Sequence, residues 1–323
     1  MQYQKPFLKE LALLISANAA ANGAKELHWS VSYPSAFSPN DMARYRRGWV
    51  ELCADLNKLT GLRHALNGKT SEGGLQTEAV AFASYFGNFQ NRQMVHTSCL
   101  DVGGGTTDCS VVRMGPSHRI KAGREDDFLG HSGQRVGGND LDIHLSYKAF
   151  MPLLGLGSRL KSGLAIPSEP YWNAVRTNDV NAQMEFSSRA NVELLEQLCR
   201  DASSPALVKR LLDLQQHKTN HQLVRCGEQS KIELSDALEI TKALGFIEQG
   251  LAQPVTRALF AESIQGPLNR ISALMKEAVT QAQCTPDLVY VTGGTAKSPV
   301  IREAIQQQLG EIPIMDGDHF GSV

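Results

Sequence analysis

Residues 101–108 read Asp-Val-Gly-Gly-Gly-Thr-Thr-Asp and lie between the apolar runs VHTSCL (95–100) and CSVVRM (109–114). Two short apolar runs joined by a glycine-rich link predict a β-hairpin. A two-residue hairpin turn needs one or two glycines, so three in series, with two threonines and two flanking acids, exceed what turn geometry demands. Without side chains, Gly103, Gly104 and Gly105 can bring their N–H groups against an anion, and Thr106 and Thr107 add hydroxyls. Two carboxylates, Asp101 and Asp108, beside a polyphosphate would repel it unless a divalent cation lay between them. Hard oxygen donors select Mg²⁺, usually through its waters. The stretch therefore predicts a site for Mg-ATP.

Working outward, three further segments stand out. VYVTGGTAKSPVIREAI (289–305) predicts a strand that ends at Gly293-Gly294 and a helix that begins a few residues later. This geometry lets a flat or anionic ligand approach the backbone. By itself, a glycine pair after a strand is more often a plain turn. Gly137-Gly138-Asn139-Asp140 leads into a helix, and taken singly it reads as a helix start capped by Asn139 or Asp140. Glu228, Lys231 and Ser235 fall on one face of a helix, where a solvated ion pair is the default reading.

The rest of the chain alternates helical and strand-like patterns, which argues for an α/β protein. Helices are expected over 6–22, from the Ser38–Asp41 start signal to Gly61, over 77–86, from Asp140 to Leu154, over 189–217, around 228–248, over 267–282 and from Pro299 to Leu309. Strands are expected at HWSVSY (28–33) and DLVYVT (287–292), and a loop at 66–74. Residues 163–188 read as a long irregular insertion.

The 323 residues are 42% hydrophobic and 20% charged, long enough for two packed lobes. A formal net charge of -1 leaves no excess of positive charge for a nucleic-acid backbone. The six cysteines show no C-x-x-C spacing and read as reduced thiols of a cytoplasmic protein. The N-terminal apolar patch is interrupted by Glu10 and reads as an amphipathic helix rather than a secretion signal, and no run is long enough to span a bilayer. His217 and His221 are helix-spaced but lack a third metal ligand.

Taken together and in this order, the segments resemble the signature of the actin, hexokinase and heat-shock-70 superfamily. DVGGGTTD resembles its second phosphate motif, VTGGTAKSPVIREAI its adenosine motif, and TEAVAFASYFG the helix connecting its lobes. VGGNDLD (136–142) and EQSKIELS (228–235) are similar to the DnaK-type chaperone branch, as is the segment from Ser30 to Gly61. From about residue 99 onward the chain resembles especially the divergent bacterial YegD-type homologues. The resemblance implies an actin-like ATPase fold of ribonuclease H type, with two lobes around a nucleotide cleft. Lobe I would be partial at 1–95, and lobe II would occupy 96–323, with an ATPase core at 96–136 and 253–323 and a helical subdomain at 137–252.

It further implies roles for single residues. Asp101 and Asp108 would hold hydrated Mg²⁺ and orient the attacking water, with Glu78 helping from the other lobe. Gly103, Gly104, Gly105, Thr106 and Thr107 would hold the outer phosphates, with Thr106 also near the reacting group. Gly137, Gly138, Glu228, Lys231 and Ser235 would contact sugar and adenine, and Gly293, Gly294, Thr295 and Lys297 would close the other side. ATP or ADP is the implied ligand, and a client protein or co-chaperone the implied partner. A nucleotide-dependent filament protein and a small-molecule kinase are the alternatives on the same superfold. Two departures stand out, since Ile232 and Lys297 occupy positions where the chaperones usually carry arginine. No D-x-G-T-x-x-S phosphate hairpin occurs, so the chain is expected to be part of a longer protein or a degenerate member.

Overall fold

A computed structural model describes residues 5–33, 37–67, 75–77, 95–116 and 127–316. The protein is mixed α/β. In the N-terminal part, helix α1 (Lys5–Ala21) is followed by strands β1 (Glu26–Trp29) and β2 (Val31–Tyr33), helix α2 (Pro39–Thr60), and strands β3 (Arg63–Leu66) and β4 (Leu75–Thr77). β1 pairs with β3 and β2 with β4, both in parallel. Helix α2 starts where its sequence says it should. The Ser38 hydroxyl accepts the Asp41 amide, the Asp41 carboxylate accepts the Ser38 amide, and Pro39 occupies the first turn. It ends at Gly61, which adopts the left-handed conformation at φ 69°. Trp49, Leu52 and Leu56 of α2 pack on Ala12 of α1 to form a small core.

The second part is organised on a five-stranded sheet of order β11-β10-β5-β6-β7. Its strands are β5 (Val95–Val102), β6 (Thr107–Met114), β7 (Phe128–Gln134), β10 (Leu288–Thr292) and β11 (Ile314–Asp316). β6 and β7 run antiparallel to their neighbours, whereas β10 runs parallel to β5 and to β11. β5 and β6 are buried along most of their length, which explains why they read as near-continuous apolar runs.

Between β7 and β10 the chain makes helices α3 (Gly138–Ala149), α4 (Glu169–Val175), α5 (Val180–Phe186), α6 (Arg189–Asp201), α7 (Pro205–Gln216) and α8 (Asn220–Asp236). An antiparallel hairpin of β8 (Glu239–Ala243) and β9 (Ala252–Thr256) follows, then α9 (Arg257–Ser263) and α10 (Gln265–Ala282). A 3-10 turn at Gly294–Lys297 and α11 (Pro299–Leu309) lie between β10 and β11. Helix α10 lies on β6 and β7, and it comes so close that a Cβ on Gly130 of β7 would stand 2.2 Å from the Ala278 carbonyl oxygen. One continuous apolar core joins the sheet, through Leu100, Val102 and Val291, to the helices, through Leu145, Phe150 and Leu211.

Several local expectations are corrected. The segment 163–188 is not irregular, since it carries α4 and α5, each a short seven-residue helix. The helical pattern over 189–217 is two helices, broken at Ala202 and restarted by Pro205. The pattern over 228–248 is the end of α8 followed by a strand, where Glu239–Ala243 alternates exposed and half-buried residues. β7 went unread because Gly130 and Gly133 weaken its strand signal. The helix expected over 77–86 lies outside the described residues apart from Thr77, which closes β4. No helix among the described residues is long and apolar enough to cross a membrane.

Candidate functional site

The 101–108 stretch forms the predicted hairpin. Asp101 faces Asp108 across β5 and β6, and Val102 faces Thr107 as the pair that closes the turn. Inside the turn the Gly103 amide donates to the Thr106 carbonyl at 3.0 Å. The carbonyls of Gly103 and Gly104 point the other way, accepting from the amides of Gly138 (2.9 Å) and Asn139 (2.7 Å) at the start of α3. The first amides of α3 are thus spent on the turn, fixing it against the helix. Gly104 and Gly105 are exposed, and their own amides have no partner among the described residues. The two threonines differ. Thr107 is fully buried and its hydroxyl donates to the Val136 carbonyl at 2.7 Å, while Thr106 stands half-exposed at the turn.

The acids below the turn are nearly closed to solvent, at 8% exposure for Asp101 and 1% for Asp108. Burial in the first place, and the Asp108 charge in the second, push the Asp101 carboxyl up to about 6. An all-oxygen donor set of two paired carboxylates, one of them strained toward its protonated form, fits a hydrated hard cation. No group of three or more His, Cys, Asp or Glu side chains among the described residues is disposed to hold a metal directly.

The other glycine segments reach the same place. Gly137 is extended backbone so close to the turn that an added Cβ would lie 2.7 Å from the carbonyl oxygens of both Gly103 and Gly104. The cap of α3 is Gly137, not Asn139 or Asp140, and its amide donates to Asp140 Oδ2 at 2.9 Å, so Asp140 reaches back from inside the first turn. A Cβ on Gly138 would meet Thr295 Oγ1 at 2.5 Å and Lys231 Nζ at 3.3 Å. Gly293 adopts φ 89° and lies against Val102 and Asp101, because β10 is the parallel neighbour of β5 and Thr292 is in register with Asp101. The hairpin turn, the start of α3, Lys231 on α8 and the 293–295 bend therefore converge on one locus.

Lys231 is not a solvated surface charge. Its ammonium lies 2.8 Å from Asp142 Oδ1, hydrogen-bonds Asp142 Oδ2 at 3.0 Å, and reaches the Gly138 carbonyl at 3.4 Å. The other two residues of that helical face are placed differently. Glu228 is exposed and, with Asn139, Asp142 and Arg225, lines an adjoining cavity of 420 Å³. Ser235 is half-buried, and its hydroxyl turns back to the Lys231 carbonyl at 3.4 Å. Gly294 and Lys297 are the first and last residues of the 3-10 turn after Gly293. Glu78 lies outside the described residues.

Two further residues stand at this locus that the sequence did not place there. Asn139 brings its side-chain oxygen to 3.5 Å from where a Gly104 Cβ would be, and Asp142 anchors Lys231. Asn139 reads as a cap, and nothing in sequence links Asp142 to a lysine on a distant helix.

No known family model matches the chain. Part of it is similar to bacterial chaperones. Chaperone protein DnaK of Thermus thermophilus is 34% identical over 102 residues, covering 28% of this chain and 17% of that protein. Chaperone protein dnaK3 of Thermosynechococcus vestitus is 30% identical over 117 residues, covering 33% of this chain and 17% of that protein. The matched region spans about a sixth of the length of these relatives, so the similarity to them is partial.

Proposed function

We propose that this chain is an ATP-binding domain of an Hsp70-like chaperone, nearest the YegD type, built on the actin-like ATPase fold with its nucleotide between two lobes. Lobe I would take residues 1–95. Lobe II would take 96–323, with its ATPase core at 96–136 and 253–323 and the helical subdomain at 137–252. The observation that carries the reading is the convergence of the hairpin turn, Gly137-Gly138, Lys231 and Gly293 through Thr295, four segments far apart in sequence. The partial similarity to DnaK supports it. Chaperone action, a client protein or co-chaperone as partner, and a cytoplasmic setting follow from the same reading.

In this assignment the open amides of Gly104 and Gly105 and the Thr106 hydroxyl hold the outer phosphates. Gly103 and Thr107 set the shape of that turn, one through its internal hydrogen bond and the other through its bond to Val136. Gly138, Glu228, Lys231 and Ser235 take the sugar and base from one side, and Gly294, Thr295 and Lys297 from the other, with Gly137 and Gly293 allowing the close backbone approach. Asp101 and Asp108 would hold hydrated Mg²⁺, which when bound supplies charge neutralisation of the phosphates. Asp101 and Asp108, with Thr106 and Glu78, would orient the water that attacks the terminal phosphate. Phosphoryl transfer is chiefly positioning and electrostatics, so slow hydrolysis, assigned to a full-length form that carries the first phosphate motif, needs no covalent step by the protein, and the activity proposed for the present residues is binding.

Isothermal titration with ATP and Mg²⁺ tests the assignment. Asp101→Asn should weaken binding by one to two decades, since loss of a charged hydrogen-bond partner is worth about 1.5–3 kcal/mol, and Gly293→Val should weaken it by driving a side chain into Val102 and Asp101. Wild-type affinity in both variants would overturn it.

A further inference from the structure

We propose that Asp142 is the positioning residue of this site, holding the Lys231 ammonium at the start of α3 where sugar and base would lie. The inference deepens the nucleotide reading and rests on it. Its basis is the way α3 and α8 meet. Gly227 of α8 sits against α3 so closely that a Cβ there would stand 2.7 Å from the Asp142 carbonyl oxygen and 2.3 Å from Ser146 Oγ. One turn further along α8, Lys231 leaves the same contact and reaches back to the first turn of α3.

Lysine has three N–H donors. The Asp142 carboxylate takes the closest contacts, Oδ1 at 2.8 Å and Oδ2 at 3.0 Å, and the Gly138 carbonyl is the longest at 3.4 Å, so it is the contact that a ligand oxygen would replace. The side chains of Lys231 and Asp142 are only 11% and 6% exposed. Removing one member of a buried pair strands the other charge, so a ligand does not draw Lys231 away but binds to it in place. Asp142 thereby decides where the ammonium stands without itself touching the nucleotide.

The groups facing Asp142 set its titration. Burial pushes its carboxyl up to about 6, Lys231 opposes that rise, and Glu228 and Asp140 add to it. His221 and Arg225 of α8 and Asn139 and Thr177 line the cavity beside it. As pH falls through about 6, Asp142 takes up a proton and Lys231 loses its counter-charge.

Adenosine separates this end of the site from the phosphate end, because it carries no phosphate and needs no Mg²⁺. Binding of adenosine from pH 5 to 8, and of Mg-ATP at pH 7.5, should be measured on the wild type, Asp142→Asn and Asp142→Glu. Wild-type adenosine affinity should fall several-fold below pH 6. Asp142→Asn should weaken it about tenfold at pH 7.5 and flatten the pH profile, and Asp142→Glu should restore most of the affinity. A merely structural Asp142 would leave no titration in adenosine binding. Mg-ATP binding with a flat wild-type adenosine profile, with no adenosine binding, or with an unaffected Asp142→Asn overturns the proposal. If Asp142→Asn does not fold, the wild-type and Asp142→Glu profiles decide it. Failure of the wild type to bind Mg-ATP at all would instead remove the site reading on which it stands.

Discussion

Gly293 stands directly against Asp101: a Cβ at this glycine would lie 3.2 Å from Asp101 Oδ1 and 2.2 Å from the carbonyl oxygen of Val102. The C-terminal glycine pair and the acidic hairpin are thus pressed together by strand pairing, β10 beside β5. The backbone at Gly293 is at φ 89°, a conformation that L residues rarely adopt. Gly293→Ala should therefore be destabilising twice over, through strain and through collision with backbone that has no room to move. A loss of about 2–4 kcal/mol in urea denaturation is expected. Gly294, by contrast, has open space around it. Gly294→Ala should stay within about 0.5 kcal/mol of the wild type, and equal losses in the two variants would show that the close approach is not real.

Asp101→Asn should stabilise the ligand-free protein at neutral pH. In the folded chain this carboxyl is raised from 3.8 to about 6, so folding binds a proton more tightly than the unfolded chain does. Stability then falls as pH rises from about 4 to about 6, and the deficit persists above that window. Asparagine removes the buried charge, so the variant should be more stable by on the order of 1–3 kcal/mol at pH 7.5 and should converge on the wild type near pH 4. The wild-type minus variant difference in urea midpoints, taken at both pH values, isolates this group from Asp142, which titrates in the same range in both proteins. With Mg-ATP present the order should reverse if Asp101 takes the role proposed for it, because the charge that destabilises the fold is the one assigned to Mg²⁺.

The extent to which this arrangement was legible in the sequence follows from the range of the forces involved. The hairpin, α2 and the 299–309 helix carry local signals: glycine in series, a capping box, a proline at the first turn. β7 and β8 carry weak local signals and are held by their neighbours, so periodicity misassigned or missed them. At the site, the glycines announced a backbone that something approaches closely, but not what approaches it. At Gly293 the neighbour is the end of β5, Asp101 and Val102, and Gly137, which reads only as a helix start, meets the hairpin turn. Lys231 read as a surface charge because its partner Asp142 belongs to α3, and only tertiary packing brings the two together.

Gly137 and Gly138 should respond differently to alanine. A Cβ on Gly137 meets backbone, the carbonyls of Gly103 and Gly104 at 2.7 Å, whereas one on Gly138 meets the tips of Thr295 and Lys231. Backbone cannot rotate away and side chains can. Gly137→Ala should cost about 2–3 kcal/mol and displace the 103–106 turn, while Gly138→Ala should cost about 1 kcal/mol. Thr295→Ala should recover most of the Gly138→Ala loss and none of the Gly137→Ala loss. A double-mutant cycle in which both pairs are additive would count against the shared locus.

Gly227→Ala inverts a general rule. In a helix interior this change ordinarily gains about 1 kcal/mol, because glycine loses more backbone freedom on folding. Gly227 lies well inside α8, so propensity alone forecasts stabilisation. The α3 contact forecasts the opposite, since the methyl would stand 2.3 Å from Ser146 Oγ and 2.7 Å from the Asp142 carbonyl oxygen. Overpacking of this kind costs about 1–3 kcal/mol, so it prevails and the variant should be less stable overall. Adding Ser146→Ala removes the nearer atom, which is a side-chain oxygen, but leaves the backbone carbonyl, so it should restore only part of the loss. The two helices can relieve the remainder only by moving apart, and that lengthens the reach from Lys231 to Asp142. Gly227→Ala should accordingly lower nucleotide affinity although Gly227 lies a full turn from Lys231. A variant more stable than the wild type in thermal and urea unfolding would show that α3 and α8 do not pack through this glycine.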